Sequence, residues 1–427
     1  MKQLLVYMKG YAKESVLGPL FKLLEASFEL LVPLVMAAII DTGVAGADRG
    51  YILRMGGVLL LLGLVGLAAA ITAQYFSAKA AVGFAGRLRH ALFEKIESLS
   101  YTQLDTLGTS TMMTRMTSDI NQVQTGVNLT LRLLLRSPFI VFGAMIMAFT
   151  IDAKSALLFV AVIPLLALVV FGTMLYTIPQ YRRVQAELDS VLGKTRETLT
   201  GARVLRAFAR EDSEISAFQE KNAALARMQR FVGRISALMN PLTYAIINLA
   251  VLALLRTGAV QVDAGRITQG ELVALVNYMS QILVELVKLA NLIITLTRAL
   301  ASANRVSAVL ALPAGNAAMG DTQGALPTVP AGAPAVEFCG VSLSYENAGA
   351  ESLSDVSFRA EPGETIGVIG GTGSGKSSLV NLIPGFYPAT RGQVRVFGRD
   401  VKDWPAAALR AKVGIVPQKA VLFRGTI

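Results

Sequence analysis

A short glycine-rich stretch near the carboxyl end of the sequence carries the residues best suited to chemistry. Its fixed positions fit the pattern G-x-x-x-x-G-K-[ST], and its members are Gly370, Gly371, Thr372, Gly373, Ser374, Gly375, Lys376 and Ser377. Glycines in this pattern let backbone N–H groups turn toward a chain of phosphates, the lysine reaches the β and γ phosphates, and the hydroxyl takes a place on Mg²⁺. The stretch therefore predicts a site for a nucleoside triphosphate.

The residues on either side of this stretch agree with that chemistry. Residues 364–369 form an apolar, β-branched run that predicts a buried strand. Residues 377–382 predict the first turns of a helix, whose amino end favours an anion. This order of strand, loop and helix makes a chance Gly-Ser turn the weaker interpretation.

Two further residues match the glycine-rich stretch in position and chemistry. Tyr345 follows an alternating apolar run at 336–343, and its ring could either stack on a purine base or pack at a strand end. Residues 413–418 predict another apolar strand, which ends in Gln418. Because ligands of open α/β sheets bind at the carboxyl ends of strands, Gln418 is a candidate contact to Mg²⁺ or to water near the γ phosphate.

The composition indicates a membrane protein. Of the 427 residues, 53% are hydrophobic and only 16% are charged. The mean hydropathy of +0.53 is too high for an ordinary soluble protein. Six hydrophobic runs are long enough to predict membrane spans, at about residues 17–40, 55–78, 133–151, 155–181, 235–255 and 272–296.

The net charge of +11 follows the same topology. Most basic residues fall in two long helical stretches between the spans, at 79–136 and 182–234, which places both stretches in the cytoplasm. Both chain ends are then cytoplasmic as well. A nucleic-acid-binding protein would also be basic, and it would bind DNA tightly and in a salt-sensitive way. Because the basic residues here follow the membrane topology, we expect no nucleic acid partner.

The sequence divides into three parts. Residues 1–312 predict the membrane domain, residues 313–334 are rich in Pro, Gly and Ala and predict a linker, and residues 335–427 predict a soluble α/β domain. The single cysteine, Cys339, excludes an internal disulfide, and the single histidine, His90, lies in an arginine-rich helical stretch and is not expected to be catalytic.

Four charged residues fall within the predicted spans, namely Glu25, Glu29, Glu285 and Lys288. They line a cavity in one interpretation, because a charge that faces lipid is costly. In the other interpretation, the first two lie at the cytoplasmic interface. The last two then form a pair, since they are three residues apart on one helix.

Together these features resemble the ATP-binding-cassette transporters, in particular the exporter type with six membrane helices before one nucleotide-binding domain. Residues 201–208, preceded by Glu197, are similar to the signature of the second intracellular loop of that family, and residues 107–123 to the segment after its first coupling helix. Tyr345 matches the adenine-stacking aromatic, residues 370–377 the phosphate loop, and Gln418 the glutamine loop.

The resemblance implies a fold and a binding site. The fold is a multi-pass α-helical membrane domain with long intracellular extensions, followed by an α/β P-loop domain that here ends after the glutamine loop. The cofactors are ATP and Mg²⁺. Nucleotide contacts are implied for Tyr345, for residues 370–377, for Ser378 and for Gln418, with Ser377 and Gln418 on the metal and Lys376 in a supporting role.

The resemblance also implies partners and a setting. Such exporters are dimers, so a second half-transporter is expected, either an identical or a different chain. Short coupling helices are expected near residues 100–105 and 210–213. The expected cargo is a small amphipathic drug, lipid or peptide, moved across a bacterial cell membrane.

The sequence departs from the family beyond Gln418. It contains no Leu-Ser-Gly-Gly-Gln signature, no strand ending in Asp-Glu and no switch histidine. In the family these supply the acid that binds Mg²⁺, the general base and a contact to the γ phosphate, and Lys376 cannot replace them. The alternative to an active exporter is therefore a catalytically inactive membrane fragment, or a partner subunit, that binds nucleotide.

We expect the 427-residue polypeptide not to hydrolyse ATP by itself. The reason is that water activation and the metal anchor are both missing from its sequence. Phosphate release from the polypeptide in nanodiscs is expected to equal the background rate. A rate that Lys376→Ala abolishes would contradict this expectation.

Overall fold

The computed structural model describes residues 4–313, 332–346 and 348–418. The chain folds into two compact units. The helical unit comprises Met8–Phe84 and Gln124–Leu300, and the mixed unit, which contains the sheet, comprises Met1–Tyr7, Ala85–Val123 and Ala301–Ile427. Most of the predicted linker, at 314–331, and residues 419–427 lie outside the described residues.

Long helices dominate the first three quarters of the chain. The α-helices before the sheet are α1 (Ala12–Ala38), α2 (Arg49–Glu97), α3 (Tyr101–Leu107), α4 (Thr109–Thr114), α5 (Ile120–Leu133), α6 (Arg136–Ile151), α7 (Ala153–Ala207), α8 (Glu211–Asp263) and α9 (Gln269–Leu310). The later elements are β1 (Val336–Leu343), β2 (Leu353–Ala360), α10 (Lys376–Leu382), β3 (Arg391–Val396), β4 (Arg399–Asp400) and α11 (Ala406–Arg410).

The predicted membrane spans are confirmed, since six helices among the described residues are long and apolar enough to cross a bilayer. The turn between the third and fourth spans is very tight, because Asp152 alone separates α6 from α7. Its carboxylate caps α7 by accepting from the Ser155 N–H at 2.8 Å. On α2, leucines such as Leu60 and Leu64 are exposed, as expected for a helix that faces lipid.

Small side chains allow the helices of the helical unit to pack closely. Ala26, Ala144, Ala156 and Ala274 are fully buried in its core, beside larger residues such as Phe159. Close approach through small residues is the usual basis of helix packing in membranes, because lipid is as apolar as the side chains themselves. The helices of this core are therefore held together by the close fit of their surfaces rather than by the hydrophobic effect.

The mixed unit contains an antiparallel sheet in the order β2-β1-β3-β4. The alternating run predicted at 336–343 is confirmed as β1, with Phe338, Val341 and Leu343 facing a buried core. Phe338 pairs with Phe358 of β2, and their rings stack with centroids 4.6 Å apart. Leu379 and Leu382 of α10 pack on the same core, which fixes that helix against the sheet.

Two predicted strands are wrong for the described chain. Residues 364–369 and 413–418 are not strands, and Ile369 and Val416 are each 96% exposed rather than buried. A strand is held by hydrogen bonds to a neighbouring strand, and the described sheet offers neither segment such a neighbour. The apolar, β-branched composition of both segments was therefore not sufficient to form a strand.

Candidate functional site

The glycine-rich stretch forms a loop that leads directly into α10. Gly373 and Gly375 have φ angles of 85° and 88°, in the left-handed region that favours glycine. A Cβ on Gly375 would also lie 2.8 Å from the carbonyl oxygen of Ser352. The shape of the loop therefore requires glycine at this position. The helix predicted at 377–382 is confirmed as α10, which begins one residue earlier, at Lys376.

The Lys376 side chain folds back into the loop. Its Nζ donates to the carbonyl oxygens of Gly370 and Gly371 at 2.8 and 2.7 Å, and it lies 3.3 Å from Ser374 Oγ. A phosphate oxygen is a stronger acceptor than these neutral groups because it is charged. An oxygen of an incoming phosphate can therefore replace the loop carbonyls as the acceptor of the hydrogen bonds from Lys376.

The candidate metal ligands, Ser377 and Gln418, are both exposed. Mg²⁺ in nucleotide sites takes one or two protein oxygens and completes its shell with phosphate oxygens and water. The Ser377 hydroxyl, next to Lys376 at the start of α10, fits that requirement. The amide oxygen of Gln418 is a suitable metal ligand. Within the described residues, no hydrogen bond links Gln418 to the loop.

Tyr345 is held against α10. Its hydroxyl donates to Ser378 Oγ at 3.0 Å, and its ring meets the ring of Tyr387 edge to face at 5.0 Å. Ser378 lies next to Ser377 of the phosphate loop. These contacts place the aromatic ring at a fixed position beside the helix that begins at Lys376.

A group of residues that the sequence analysis missed joins α3 to the segment after α10. Tyr101 stacks on Phe386 with ring centroids 4.3 Å apart, and the Tyr387 hydroxyl donates to the Asp105 carboxylate at 2.5 Å. Arg410 lies 5.7 Å from the centroid of the Phe386 ring. The short helix expected near residues 100–105 is thus present as α3, and it contacts the part of the chain that carries the phosphate loop.

One local signal for α3 was present in the sequence. Ser100 and Gln103 form a capping box, in which Ser100 Oγ accepts from the Gln103 N–H at 3.3 Å and Gln103 Oε1 accepts from the Ser100 N–H at 2.9 Å. The S-x-x-Q spacing predicts where such a helix begins. The aromatic partners of α3 lie far away in sequence, so no local pattern could have identified them.

Tyr387 keeps its proton over a wide range of pH. Burial, and then the hydrogen bond to Asp105, raise the pKa of the Tyr387 phenol well above its ordinary value. Because the pKa of the phenol is raised, folding stabilises its protonated form. The contribution of this proton to the free energy of folding is therefore lost only at strongly alkaline pH. The hydroxyl therefore donates to Asp105 throughout the neutral range.

A buried charge in the mixed unit is Asp119, which is 2% exposed. Its carboxylate accepts from Arg115 at 2.7 Å and from both Nε and a terminal nitrogen of Arg305. Arg305 belongs to α9 and also donates to Ser302 at 2.9 Å. The cluster therefore fixes the carboxyl end of α9 against the segment between α4 and α5.

The helical unit contains a network of buried charges centred on Glu285, which is 2% exposed. Arg136 donates to Glu285 and to Glu29 at 2.6 Å each, while Lys288 and Ser137 donate to Glu285 at 2.8 and 2.9 Å. The structure favours the interpretation in which Glu285 pairs with Lys288, because both carboxylate oxygens of Glu285 are occupied.

Arg136 requires a correction. It belongs to the basic stretch at 79–136, which is predicted to be a cytoplasmic loop, yet its side chain is only 7% exposed and lies between two carboxylates. Its neighbour in sequence, Arg132, suggested a solvated loop. The acidic partners on α1 and α9 explain why a charge can be buried at the start of α6.

The predicted signature of the second intracellular loop lies at the end of α7. Glu214 of α8 accepts from Lys194 at 2.7 Å and from Thr198 at 2.6 Å, which holds the two helices together there. Residues 208–210 form the turn between them, and Ala209 has a φ of 50°. Residues 211–213 are the first turn of α8, so the second short helix expected at 210–213 is not a separate element.

Comparison with known proteins assigns the family. The family model described as the ABC transporter transmembrane region matches residues 15–286, and the one described as ABC transporter matches residues 353–427. An uncharacterized ABC transporter ATP-binding protein of Mycobacterium tuberculosis is 34% identical, over 99% of this chain and 72% of its own length. One from Bacillus subtilis is 31% identical, over 100% of this chain and 74% of its own length.

A third relative is named for its activity. An ATP-dependent lipid A-core flippase of Chromobacterium violaceum is 26% identical, over 100% of this chain and 72% of its own length. The matches extend across the six helices as well as the phosphate loop. The chain therefore belongs to the ABC transporter family, in the exporter type that joins a six-helix membrane region to a nucleotide-binding region.

Proposed function

We propose that this chain is one half of a dimeric exporter that uses ATP to move a small amphipathic molecule across a bacterial cell membrane. The observation that carries the proposal is the position of Lys376, whose ammonium is held inside the glycine-rich loop by two carbonyl oxygens. A cation in that position can bind the negatively charged oxygens of a chain of phosphates that enters the loop.

Each candidate residue has a role in this proposal. Lys376 neutralises the β and γ phosphates, backbone N–H groups of residues 370–377 donate to phosphate oxygens, and the purine base stacks on Tyr345. Ser378 supports the site by accepting the hydrogen bond that holds Tyr345 in place. Bound Mg²⁺ would draw charge from the phosphates, with Ser377 and Gln418 as its protein ligands.

The chain is organised for transport in three parts. Residues 1–312 form the transmembrane domain, residues 313–334 the linker and residues 335–427 the amino-terminal part of the nucleotide-binding domain. Both chain ends lie in the cytoplasm. The partner is a second half-transporter, identical or different, and lipid surrounds the helices. Transport is driven by the higher affinity of ATP for the closed state of the paired nucleotide-binding regions, whose closure switches the membrane helices from inward-facing to outward-facing.

A lipid is the cargo to test first. One relative is named as a lipid A-core flippase, and the composition of the helices suits an amphipathic molecule. Drugs and peptides share that chemistry and belong in the same test. Glu285, which lines a cavity in one interpretation of the sequence, has its oxygens occupied by Arg136, Lys288 and Ser137.

Transport in proteoliposomes by the dimer of this chain with a half-transporter that carries the motifs this sequence lacks tests the proposal, because this chain is not expected to hydrolyse ATP by itself. A fluorescent phospholipid and a cationic amphipathic dye serve as separate cargoes, and their distribution between leaflets is measured with and without Mg·ATP. Movement of at least one cargo is expected only when ATP is present. Equal movement with and without ATP, for every cargo, would contradict the proposed function.

A further inference from the structure

A cavity of about 470 Å³ lies beside Tyr345 in the mixed unit. It is lined by Thr102, Asp105 and Thr106 of α3 and by Tyr345, Glu346 and Tyr387. One wall is thus the aromatic ring proposed to stack on the base, and the opposite residues belong to the short helix α3. The volume is ample for a purine base.

The ring of Tyr345 cannot move freely with respect to this cavity. The hydrogen bond to Ser378 and the edge-to-face contact with Tyr387 fix the ring relative to α10. A base stacked on Tyr345, with its phosphates in the loop at 370–377, would therefore present one edge to the residues of α3 and to Glu346.

The polar lining of the cavity is rich in acceptors. Asp105 uses Oδ2 to accept from Tyr387, and Glu346 uses Oε2 to accept from Thr106 at 3.3 Å. In the part of the chain that the structure describes, neither carboxylate forms an ion pair with a lysine or arginine. One oxygen of each carboxylate is thus available, and ionised carboxylates only accept hydrogen bonds.

We infer that α3 is part of the nucleobase site: Asp105, together with Glu346, accepts hydrogen bonds from the exocyclic amine of an adenine stacked on Tyr345. The inference rests on the proposed function. A purine without the amine offers no donor at this position, so the site favours a base that carries it. The bound base then contacts α3 directly, as well as the residues near the phosphate loop.

The comparison of ATP with purine riboside triphosphate tests this inference. Purine riboside has a hydrogen atom where adenosine has the amine, and the two nucleotides are otherwise identical. We measure the binding of both nucleotides, with Mg²⁺, to the full chain in nanodiscs. The chain is expected to bind ATP about tenfold more tightly, the low end for a hydrogen bond to a charged acceptor because the site is open to water.

The variant Asp105→Asn/Glu346→Gln is expected to bind the two nucleotides within about twofold of each other, because a neutral amide oxygen is a weaker acceptor for the amine than a carboxylate. Equal binding of both nucleotides by the unmodified chain would overturn the inference, as would a preference for ATP that survives in the double variant. If the double variant binds neither nucleotide, each single variant must still lower the preference. An unchanged preference in both single variants would overturn the inference.

The two ways of failing are distinguishable. Loss of the proposed function appears as absence of binding for both nucleotides in the unmodified chain. Failure of the inference alone appears as binding of both nucleotides without a preference between them.

Discussion

Replacement of Lys376 by alanine is expected to weaken the binding of Mg·ATP by about 10- to 100-fold, the effect of losing hydrogen bonds from a charged donor. In the structure the ammonium is already held in the loop by the Gly370 and Gly371 carbonyl oxygens. The ammonium therefore needs little rearrangement to reach a phosphate. Any other cation would first have to move into the loop from solvent, so it cannot compensate for the loss of Lys376.

Titration of the full chain in nanodiscs with a fluorescent ATP analogue gives both affinities. Lys412→Ala is the matched control, because Lys412 is an exposed lysine in the same part of the chain. The control is expected to bind as the unmodified chain does. Equal affinities in the Lys376→Ala variant and in the control would show that the loop is not the phosphate site.

Replacement of Arg136 by methionine is expected to lower the free energy of unfolding by about 3 kcal/mol, the low end of the cost of breaking a buried ion pair. The variant leaves Glu285, which is 2% exposed, with Lys288 and Ser137 as its remaining partners. Lys288 compensates part of the charge, which is why the low end applies. Chemical unfolding in detergent micelles measures the change.

Two controls make this result specific. The variant Arg136→Met/Glu285→Met removes both buried charges and is expected to recover most of the lost stability, because apolar residues can replace a buried pair. Glu94→Gln breaks the exposed contact between His90 and Glu94, where both side chains are more than half exposed. It is expected to change stability by less than about 1 kcal/mol. A loss no larger in Arg136→Met than in Glu94→Gln would contradict the role given to the network.

Local patterns in the sequence predicted the features that depend on local physics. Membrane spans follow from the hydropathy of about 20 consecutive residues, so all six could be predicted. The loop at 370–377 follows from glycines whose backbone angles no other residue adopts easily, and β1 follows from alternation along one strand. None of these requires knowledge of a distant part of the chain.

The features that depend on distant partners were missed or wrong. Arg136 reads as a loop charge beside Arg132, and only the structure shows Glu29 and Glu285 around it. The contact of Tyr387 with Asp105 joins segments that share no pattern. Residues 364–369 have the composition of a strand, but a strand also needs a neighbour, which composition does not reveal.

The link between the phosphate loop and transport is tested most directly by measuring transport across a titration of ATP. The assembled exporter and its Lys376→Ala variant are compared in proteoliposomes with the same cargo. Half-maximal transport by the variant is expected to require about 10- to 100-fold more ATP, matching its loss of affinity. Identical titration curves for the two proteins would contradict the claim that ATP in this loop drives transport.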